Sequence, residues 1–305
     1  ILLLGIGGEN HEGGTLTDTM ILATLRLPKF KDEKKQVSFV SIPRDLVANI
    51  RGYDYRKINS AYAFGELNGQ KQGPKLTLST VEEVLNTGIP YYAVLDFEGF
   101  KQIIDDLGGI KINVGVGFTD SLFPDGRFGY LPPITFEAGL QKMNGERALQ
   151  YVRSRHGNND QGTDFARSGR QLQLLKAVKD KVTGLNIFTN LNLLNRTLEN
   201  LSNHLRTNIE PFEVKRFYEL TKDIDAENIS SLAIDVESGL VCNQIVEENG
   251  AYILIPCAGL GNYGALRNLV KNQFVISDLN REQAGIENQS PPGAHASALK
   301  AQALL

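Results

Sequence analysis

Residues 91–110 read YYAVLDFEGFKQIIDDLGGI, and their pattern decides the fold class. Tyr91–Leu95 is a short apolar run with the composition of a strand. Phe97–Leu107 then spaces Phe97, Phe100, Ile103, Ile104 and Leu107 at helical intervals. Gly108-Gly109 is the usual stop signal after a helix, and Ile110–Val114 resumes as a second β-type run. Strand, helix and strand in direct succession form an α/β unit.

The same alternation extends outward in both directions. Residues 1–6, ILLLGI, read as a buried strand, too short for the core of a signal peptide. Met20–Leu27 and Val37–Ile42 are further strands, and Ser60–Leu67 and Leu78–Leu85 are helices. Gly115–Leu140, rich in Gly, Pro and Phe, reads as irregular. Helical patterns return at Asn144–Arg153, Phe165–Val182, Ile187–Leu205 and Pro211–Ile224, the last with proline at its first turn. Ser231–Val236, Leu240–Val246 and Tyr252–Pro256 close the series as strands. The result is one α/β domain over residues 1–278, with helices covering a sheet. Residues 279–305, poor in aromatic and β-branched types, are expected to be a flexible tail.

Composition removes several classes of function. The chain has 305 residues, of which 41% are hydrophobic and 22% charged, and its net charge is −3. Nucleic-acid binders usually show a basic surface, so none is expected as a partner. No apolar run reaches the roughly 18–20 residues that span a bilayer. A chain that opens inside a strand implies a missing upstream segment, here expected to be an N-terminal membrane anchor.

Against this mildly acidic background, YVRSRHGNNDQGTDFARSGRQ (151–171) holds four arginines and no lysine. The guanidinium fork matches phosphate oxygens two at a time and stays charged at any working pH. Arg167 and Arg170 share a helical face near its N-terminal end, and Leu174 continues that face into apolar character. Arg153 and Arg155 alternate just before the loop His156–Thr163. The competing reading is surface pairing with Glu146, Asp160 and Asp164. Arg44 follows the run Val37–Ile42, where open α/β sheets gather functional groups; a strand-end salt bridge would explain it equally. Asp18, just before a strand, is either a turn residue or a metal ligand. A Mg²⁺ ion on a diphosphate needs only one or two carboxylates.

Cys242 and Cys257 are either free thiols or a disulfide. Asn249-Gly250 is a preferred two-residue hairpin turn that would pair Glu248 with Ala251 and, further out, Cys242 with Cys257. An extracytoplasmic location would favour the bridge.

Five segments in this order carry a family resemblance: SIPRD (41–45), KINSAYAFG (57–65), YYAVLDFEGFKQIIDDLGGI (91–110), MNGERALQYVRSRHG (143–157) and DFARSGRQ (164–171). Together they resemble the LytR–CpsA–Psr family. The resemblance implies an α-β-α sandwich around a central mixed sheet, with an apolar pocket for a polyprenyl lipid. It implies transfer of a glycopolymer, such as teichoic acid or capsule, from a polyprenyl (pyro)phosphate carrier to peptidoglycan or another envelope acceptor. It also implies a membrane-anchored enzyme on the outer face of the cell membrane, assisted by Mg²⁺. Carried over by position, Arg44, Arg153, Arg155, Arg167 and Arg170 match the phosphate-binding arginines, and Asp18 a metal-binding aspartate.

Two positions depart from the pattern. Gly7 stands where many members have a second aspartate, and Leu16 where many have an arginine. Glu9, His11 and Glu12 are alternative ligands in that loop, which reads equally as a plain flexible connector. Leu85, Val94, Phe97, Phe100, Ile103, Leu174 and Val178 are expected to line the lipid pocket or, failing that, to pack the core. No general base stands out beyond Asp18 or a substrate phosphate oxygen. Two other readings compete: hydrolysis of the lipid pyrophosphate, and non-catalytic binding of a lipid or wall polymer.

Overall fold

The structure is a computed structural model that describes residues 1–9, 11–30, 33–67, 71–125, 129–184, 201, 203–246 and 250–287. Its centre is a six-stranded mixed sheet of β1 (Leu2–Ile6), β2 (Thr17–Arg26), β3 (Gln36–Ser41), β6 (Tyr92–Asp96), β11 (Leu205–Thr207) and β12 (Ile229–Ala233). The order across the sheet is β11-β6-β1-β2-β3-β12. β6 runs parallel to β1 and β12 parallel to β3, while the remaining neighbours are antiparallel. Four strands, β1, β3, β6 and β12, therefore end at the same edge, and β2 and β11 begin there.

Register decides what each face of the sheet carries, because side chains alternate along a strand. Leu2 opposes Leu22, Leu4 opposes Met20, and Leu22 opposes Val40, so these residues share one face. They are buried with Val81, Val84 and Leu85 of α2 (Gly73–Leu85) and Leu266, Leu269 and Val270 of α7 (Gly264–Glu287). Truncating such a residue, for example Leu2→Ala, costs about 2–5 kcal/mol. The other face presents Leu3, Ile21, Ala23, Leu25, Val37, Phe39 and Leu95. Of these only Ile21 is fully buried; the rest are half-buried.

Beside the sheet lies a second apolar cluster. α3 (Phe97–Asp106), α4 (Gly145–Arg153) and α5 (Asp164–Gly184) enclose it with β7 (Ile110–Val114), β8 (Phe118–Asp120), β9 (Ile134–Phe136) and β10 (Gly139–Met143). Asp96 caps α3 by accepting the Gly99 N–H at 2.8 Å, and Asn144 caps α4 by accepting that of Arg147 at 2.9 Å. The α/β reading of residues 91–114 holds within a residue or two at each boundary.

Several expectations are corrected. Gly115–Leu140 is not wholly irregular: it contains β8, β9 and the start of β10. The hairpin of β4 (Val47–Ile50) and β5 (Asp54–Lys57) carried no strong pattern, since it is only four residues on each side. Residues 187–200 and 202 of the expected helix Ile187–Leu205 lie outside the described residues, and Leu205 itself begins β11. α6 occupies Pro211–Thr221. α7 continues past Asp278 to Glu287, and residues 288–305 lie outside the described residues. Among the described residues, no helix is long and apolar enough to cross a membrane.

The disulfide forms, but by a different register. In the hairpin of β13 (Val241–Ile245) and β14 (Tyr252–Pro256), Cys242 opposes Ile255, not Cys257. Val246 pairs with Ala251 at the turn, so the connection is two residues longer than the Asn249-Gly250 turn implied; Glu248 and Asn249 lie outside the described residues. Cys257 follows the last strand residue, and its Cα still comes within 4.9 Å of that of Cys242.

Candidate functional site

The shared edge where β1, β3, β6 and β12 end is where the predicted charged residues meet. A cleft of about 330 Å³ is lined there by Asp18, Arg44, Arg153, Arg155 and Arg167, among others. Among the described residues that line it, four guanidinium groups meet two carboxylates, Asp18 and Glu12. Asp18 lies inside β2, as its second residue, and not before it. Its Oδ1 accepts from Arg44 Nη1. Arg44 Nε is buried without a hydrogen-bond partner, 3.5 Å from the Asp45 carboxylate. The strand-end salt bridge of Arg44 is therefore present, to Asp18 and Asp45, and the residue nonetheless lines the cleft.

Arg153 is the last residue of α4, and its guanidinium lies over an aromatic wall. Its guanidinium carbon is 3.9 Å from the Phe97 ring centre and 5.5 Å from that of Phe123. His11 completes the seat, with Nε2 3.4 Å from Arg153 Nη2 and Nδ1 2.7 Å from the Glu12 carbonyl oxygen. That carbonyl requires a proton on Nδ1, which leaves Nε2 to accept from Arg153. Burial lowers the Arg153 pKa; Asp18 and Glu146 oppose the shift and Arg44 adds to it. Glu146, considered as an arginine partner, instead pairs with Lys101 at 3.4 Å.

Arg155 and Arg167 line the cleft half-buried. Arg167 sits in the first turns of α5, whose start is fixed by the Ala166 N–H on Thr163 Oγ1 at 3.1 Å. Arg170 has a different job. It is 3% exposed and donates to the carbonyl oxygens of Tyr151 at 2.8 Å, Gln161 at 2.8 Å and Ser154 at 2.5 Å. It is not among the cleft-lining residues, and burial pulls its pKa down to about 10. Arg170 therefore ties the end of α4 and the following loop to α5.

Asp120, which sequence reasoning missed, holds the same loop from the other side. It is 1% exposed, and its Oδ2 accepts from Ser154 Oγ at 2.6 Å and from the N–H groups of Arg155 and His156, each at 3.2 Å. Oδ1 accepts the Leu122 N–H at 2.9 Å. Burial alone would raise its pKa, but these hydrogen bonds more than offset it, so the carboxyl titrates below the usual range. The only available signal was an acidic residue inside a β-type triplet, Phe118–Asp120, too short to read as a strand.

The apolar candidates mostly pack the core. Leu174 is 7% exposed in the second cluster, where Phe100 and Val178 also pack. Val94 is 1% exposed in the main core, Phe97 supports Arg153, and Ile103 is half-buried on α3. Leu85 does border a large apolar cavity. That cavity, of about 1020 Å³, lies at the opposite end of the strands and is lined by Leu3, Ala23, Leu25, Val37, Phe39 and Phe217. The half-buried face of the sheet links it to the arginine cleft: Thr19 and Ser41 near the cleft, then Ile21, Ala23 and Phe39, then Leu25 and Val37.

Among the described residues, no cluster of three or more potential metal ligands is present. Asp18 Oδ2 carries no hydrogen bond among the described residues. Gly7 is packed against His11, and a Cβ there would fall 2.8 Å from the His11 Cβ, so a side chain at that position displaces the seat of Arg153.

The LytR–CpsA–Psr family matches residues 1–257 of this chain. A teichoic acid transferase of Oceanobacillus iheyensis, TagU (polyisoprenyl-teichoic acid–peptidoglycan), is 32% identical over 210 residues, 69% of this chain and 58% of that protein. TagV of Bacillus subtilis, of the same description, is 32% identical over 238 residues, 77% of this chain and 56% of that protein. The crystal structure of B. subtilis TagV superposes with a TM-score of 0.65 at 29% identity, covering 90% of this chain and 95% of that one. The chain spans somewhat more than half the length of these curated relatives.

Proposed function

Because this chain belongs to the LytR–CpsA–Psr family, we propose that it transfers a glycopolymer from a polyprenyl diphosphate carrier to peptidoglycan. The observation that carries this reading is the convergence of Arg44, Arg153, Arg155 and Arg167 on one cleft, with an apolar sheet face leading away from it. Such a surface fits an amphiphile with a charged head and a long apolar tail. The relatives' names supply the donor and acceptor classes, polyisoprenyl-linked teichoic acid and peptidoglycan.

In this reading the arginines neutralise the diphosphate and hold it in place. The acceptor hydroxyl attacks the phosphorus that bears the glycopolymer, and polyprenyl phosphate departs. The fixed cations stabilise the charge on the equatorial and leaving oxygens. Arg44, held between Asp18 and Asp45, contributes its charge at the wall of the cleft. Arg153, stacked on Phe97, holds its fork in one plane with little entropy left to lose. Asp18 fits a Mg²⁺ site because its second oxygen is unused and phosphate oxygens and water complete the shell. Mg²⁺ bound there would add positive charge beside the diphosphate. Since Gly7 supplies no carboxylate, binding depends on the donor more than on the protein.

The proposed location is the outer face of the cell membrane, where the carrier lipid resides. The Cys242–Cys257 bridge supports it, since disulfides persist in oxidising compartments. The test supplies a polyprenyl-diphosphate glycopolymer with peptidoglycan, in the presence and absence of Mg²⁺. Polymer covalently attached to the acceptor is expected. Free glycopolymer phosphate regardless of acceptor would establish hydrolysis instead, and a stable donor complex without turnover would establish a binding module.

A further inference from the structure

A second cleft, of about 550 Å³, shares Arg153, His11, Phe97 and Phe123 with the arginine cleft. Its charge is opposite. Five carboxylates line it, on Glu9, Asp96, Glu98, Asp125 and Glu146, against Lys101 and Arg153. A phosphate-bearing donor is repelled from this half and drawn to the other. A neutral glycan with many hydroxyl donors meets acceptors here instead.

One histidine faces this second cleft in a built arrangement. β11 pairs antiparallel with β6, and the same register places His204 opposite Asp96, whose N–H donates to the His204 carbonyl oxygen at 3.2 Å. Asp96 Oδ2 lies 2.8 Å from His204 Nδ1, and its Oδ1 accepts the Gly99 N–H at 2.8 Å. Two glycines make the room. A Cβ on Gly99 would stand 2.5 Å from the His204 Cβ, and one on Gly8, where φ is +88, would stand 3.1 Å from the Asp96 Cβ. The Asp96 carboxyl sits at the N-terminus of α3, where it caps the helix. It therefore fixes the proton on Nδ1 and leaves the Nε2 lone pair unused. Nε2 has no hydrogen-bond partner among the described residues, and the imidazole side chain is 34% exposed.

We propose that His204, oriented by Asp96, is the general base for the acceptor, and that the acidic half of the cleft admits the acceptor glycan; this rests on the transfer reaction proposed above. The acceptor O–H gives its proton to His204 Nε2 as its oxygen forms a bond to the phosphorus bearing the glycopolymer. The bridging P–O bond breaks, and its electron pair leaves on polyprenyl phosphate. The proton passes from His204 to solvent. Arg153, common to both halves, marks the border at which donor phosphate and acceptor hydroxyl meet. Asp96 acts through His204 and is a positioning residue.

Two variants test this in the full chain, with a polyprenyl-diphosphate glycopolymer as donor and peptidoglycan as acceptor. His204→Asn places an amide where Nδ1 stood, keeps the contact with Asp96 and removes Nε2. Its transfer rate is expected to fall about 10²–10⁴-fold, the usual contribution of general base catalysis, with donor affinity and melting temperature unchanged. His204→Ala is expected to lose the same activity and to regain part of it with added imidazole. Transfer at the wild-type rate by His204→Asn overturns the proposal. So does a loss of donor affinity and thermal stability in step with activity, which would make the pair a structural clip between β6 and β11. Absence of transfer by the wild-type protein, by contrast, removes the reaction itself and the proposal with it.

Discussion

Replacing Asp120 by asparagine keeps the shape of a buried side chain and removes its charge. In the wild-type protein its carboxylate accepts four hydrogen bonds, from Ser154 Oγ and the N–H groups of Leu122, Arg155 and His156. An asparagine oxygen turned toward the three loop donors keeps those bonds but loses charge assistance, worth about 1 kcal/mol each. The amide nitrogen then faces the Leu122 N–H, and one donor is left unpaired at a cost of about 1–3 kcal/mol. With allowance for the partial exposure of His156 and Arg155, the loss comes to about 3–5 kcal/mol. A chain of this length shifts by about 2 °C per kcal/mol, so Tm should fall by about 6–10 °C. Donor affinity should fall even well below that Tm, because the loosened loop lies between Arg153 and Arg155. The pH dependence follows from the sign of the shift. A carboxyl with a lowered folded-state pKa contributes stability above its unfolded value, near 4, and loses it as pH falls through the folded value. The melting curves of Asp120→Asn and wild type should therefore converge in acid, below about pH 4. Circular dichroism melts from pH 3 to 7, with donor titration at pH 7, check both expectations. An unchanged Tm and an unchanged donor affinity at pH 7 would refute the reasoning.

The remaining predictions separate arginines that bind from an arginine that builds. Arg167→Ala should lower transfer by about 10²–10³-fold with no change in Tm, since it removes one preorganised cation from the cleft; steady-state rates beside thermal melts decide it. Arg170→Lys should do the reverse in order: Tm falls first, because a single ammonium cannot serve carbonyls on Tyr151, Ser154 and Gln161 together, and each orphaned acceptor costs about 1–3 kcal/mol. A Tm equal to wild type in that variant would contradict its structural role. Reducing the exposed Cys242–Cys257 bridge, which closes a separation of 15 residues, should cost about 3 kcal/mol and lower Tm accordingly, as read in melts with and without dithiothreitol.

The sequence exposes the elements whose physics is local. Tyr92–Asp96 and Ile110–Val114 carry strand composition, Phe97–Asp106 carries its own periodicity, cap and stop, and all three were legible. Elements that exist only through distant pairing were not. β8 and β9 are three residues each and are held by each other and by the second cluster. β11 is likewise three residues, stabilised by β6. That omission hid His204, since the residue becomes notable only when register sets it against Asp96. The cysteine pair was legible as a pair, but its register was not. The turn chemistry of Asn249-Gly250 suggested a two-residue connection, whereas Val246 and Ala251 close a longer one.

Spacing grouped Arg153, Arg155, Arg167 and Arg170, and Arg44 joined them by its place at a strand end, but neither could assign their work, and the reason is physical. A guanidinium is satisfied equally by phosphate oxygens, a carboxylate, backbone carbonyls or a ring face, and sequence shows none of these partners. Arg170, three residues from Arg167, points into the second cluster and spends its donors on carbonyls at the end of α4 and in the loop after it. Arg44 is shared between the carboxylates of Asp18 and Asp45. Arg153 lies on Phe97, where aromatic contact holds the cation without using up the donors that a phosphate needs. The last arrangement is the one best suited to a binding site. A carboxylate partner would have to be displaced by an incoming phosphate, with a loss of binding energy equal to the pair it breaks, whereas a ring face stays in contact as the phosphate arrives. The prediction is directional: Phe97→Ala, which removes the face and leaves every cation in place, should weaken donor binding, while Phe97→Tyr, which keeps the face, should not. Equal donor affinity across wild type, Phe97→Ala and Phe97→Tyr would show that the stacked ring plays no part in holding the clamp.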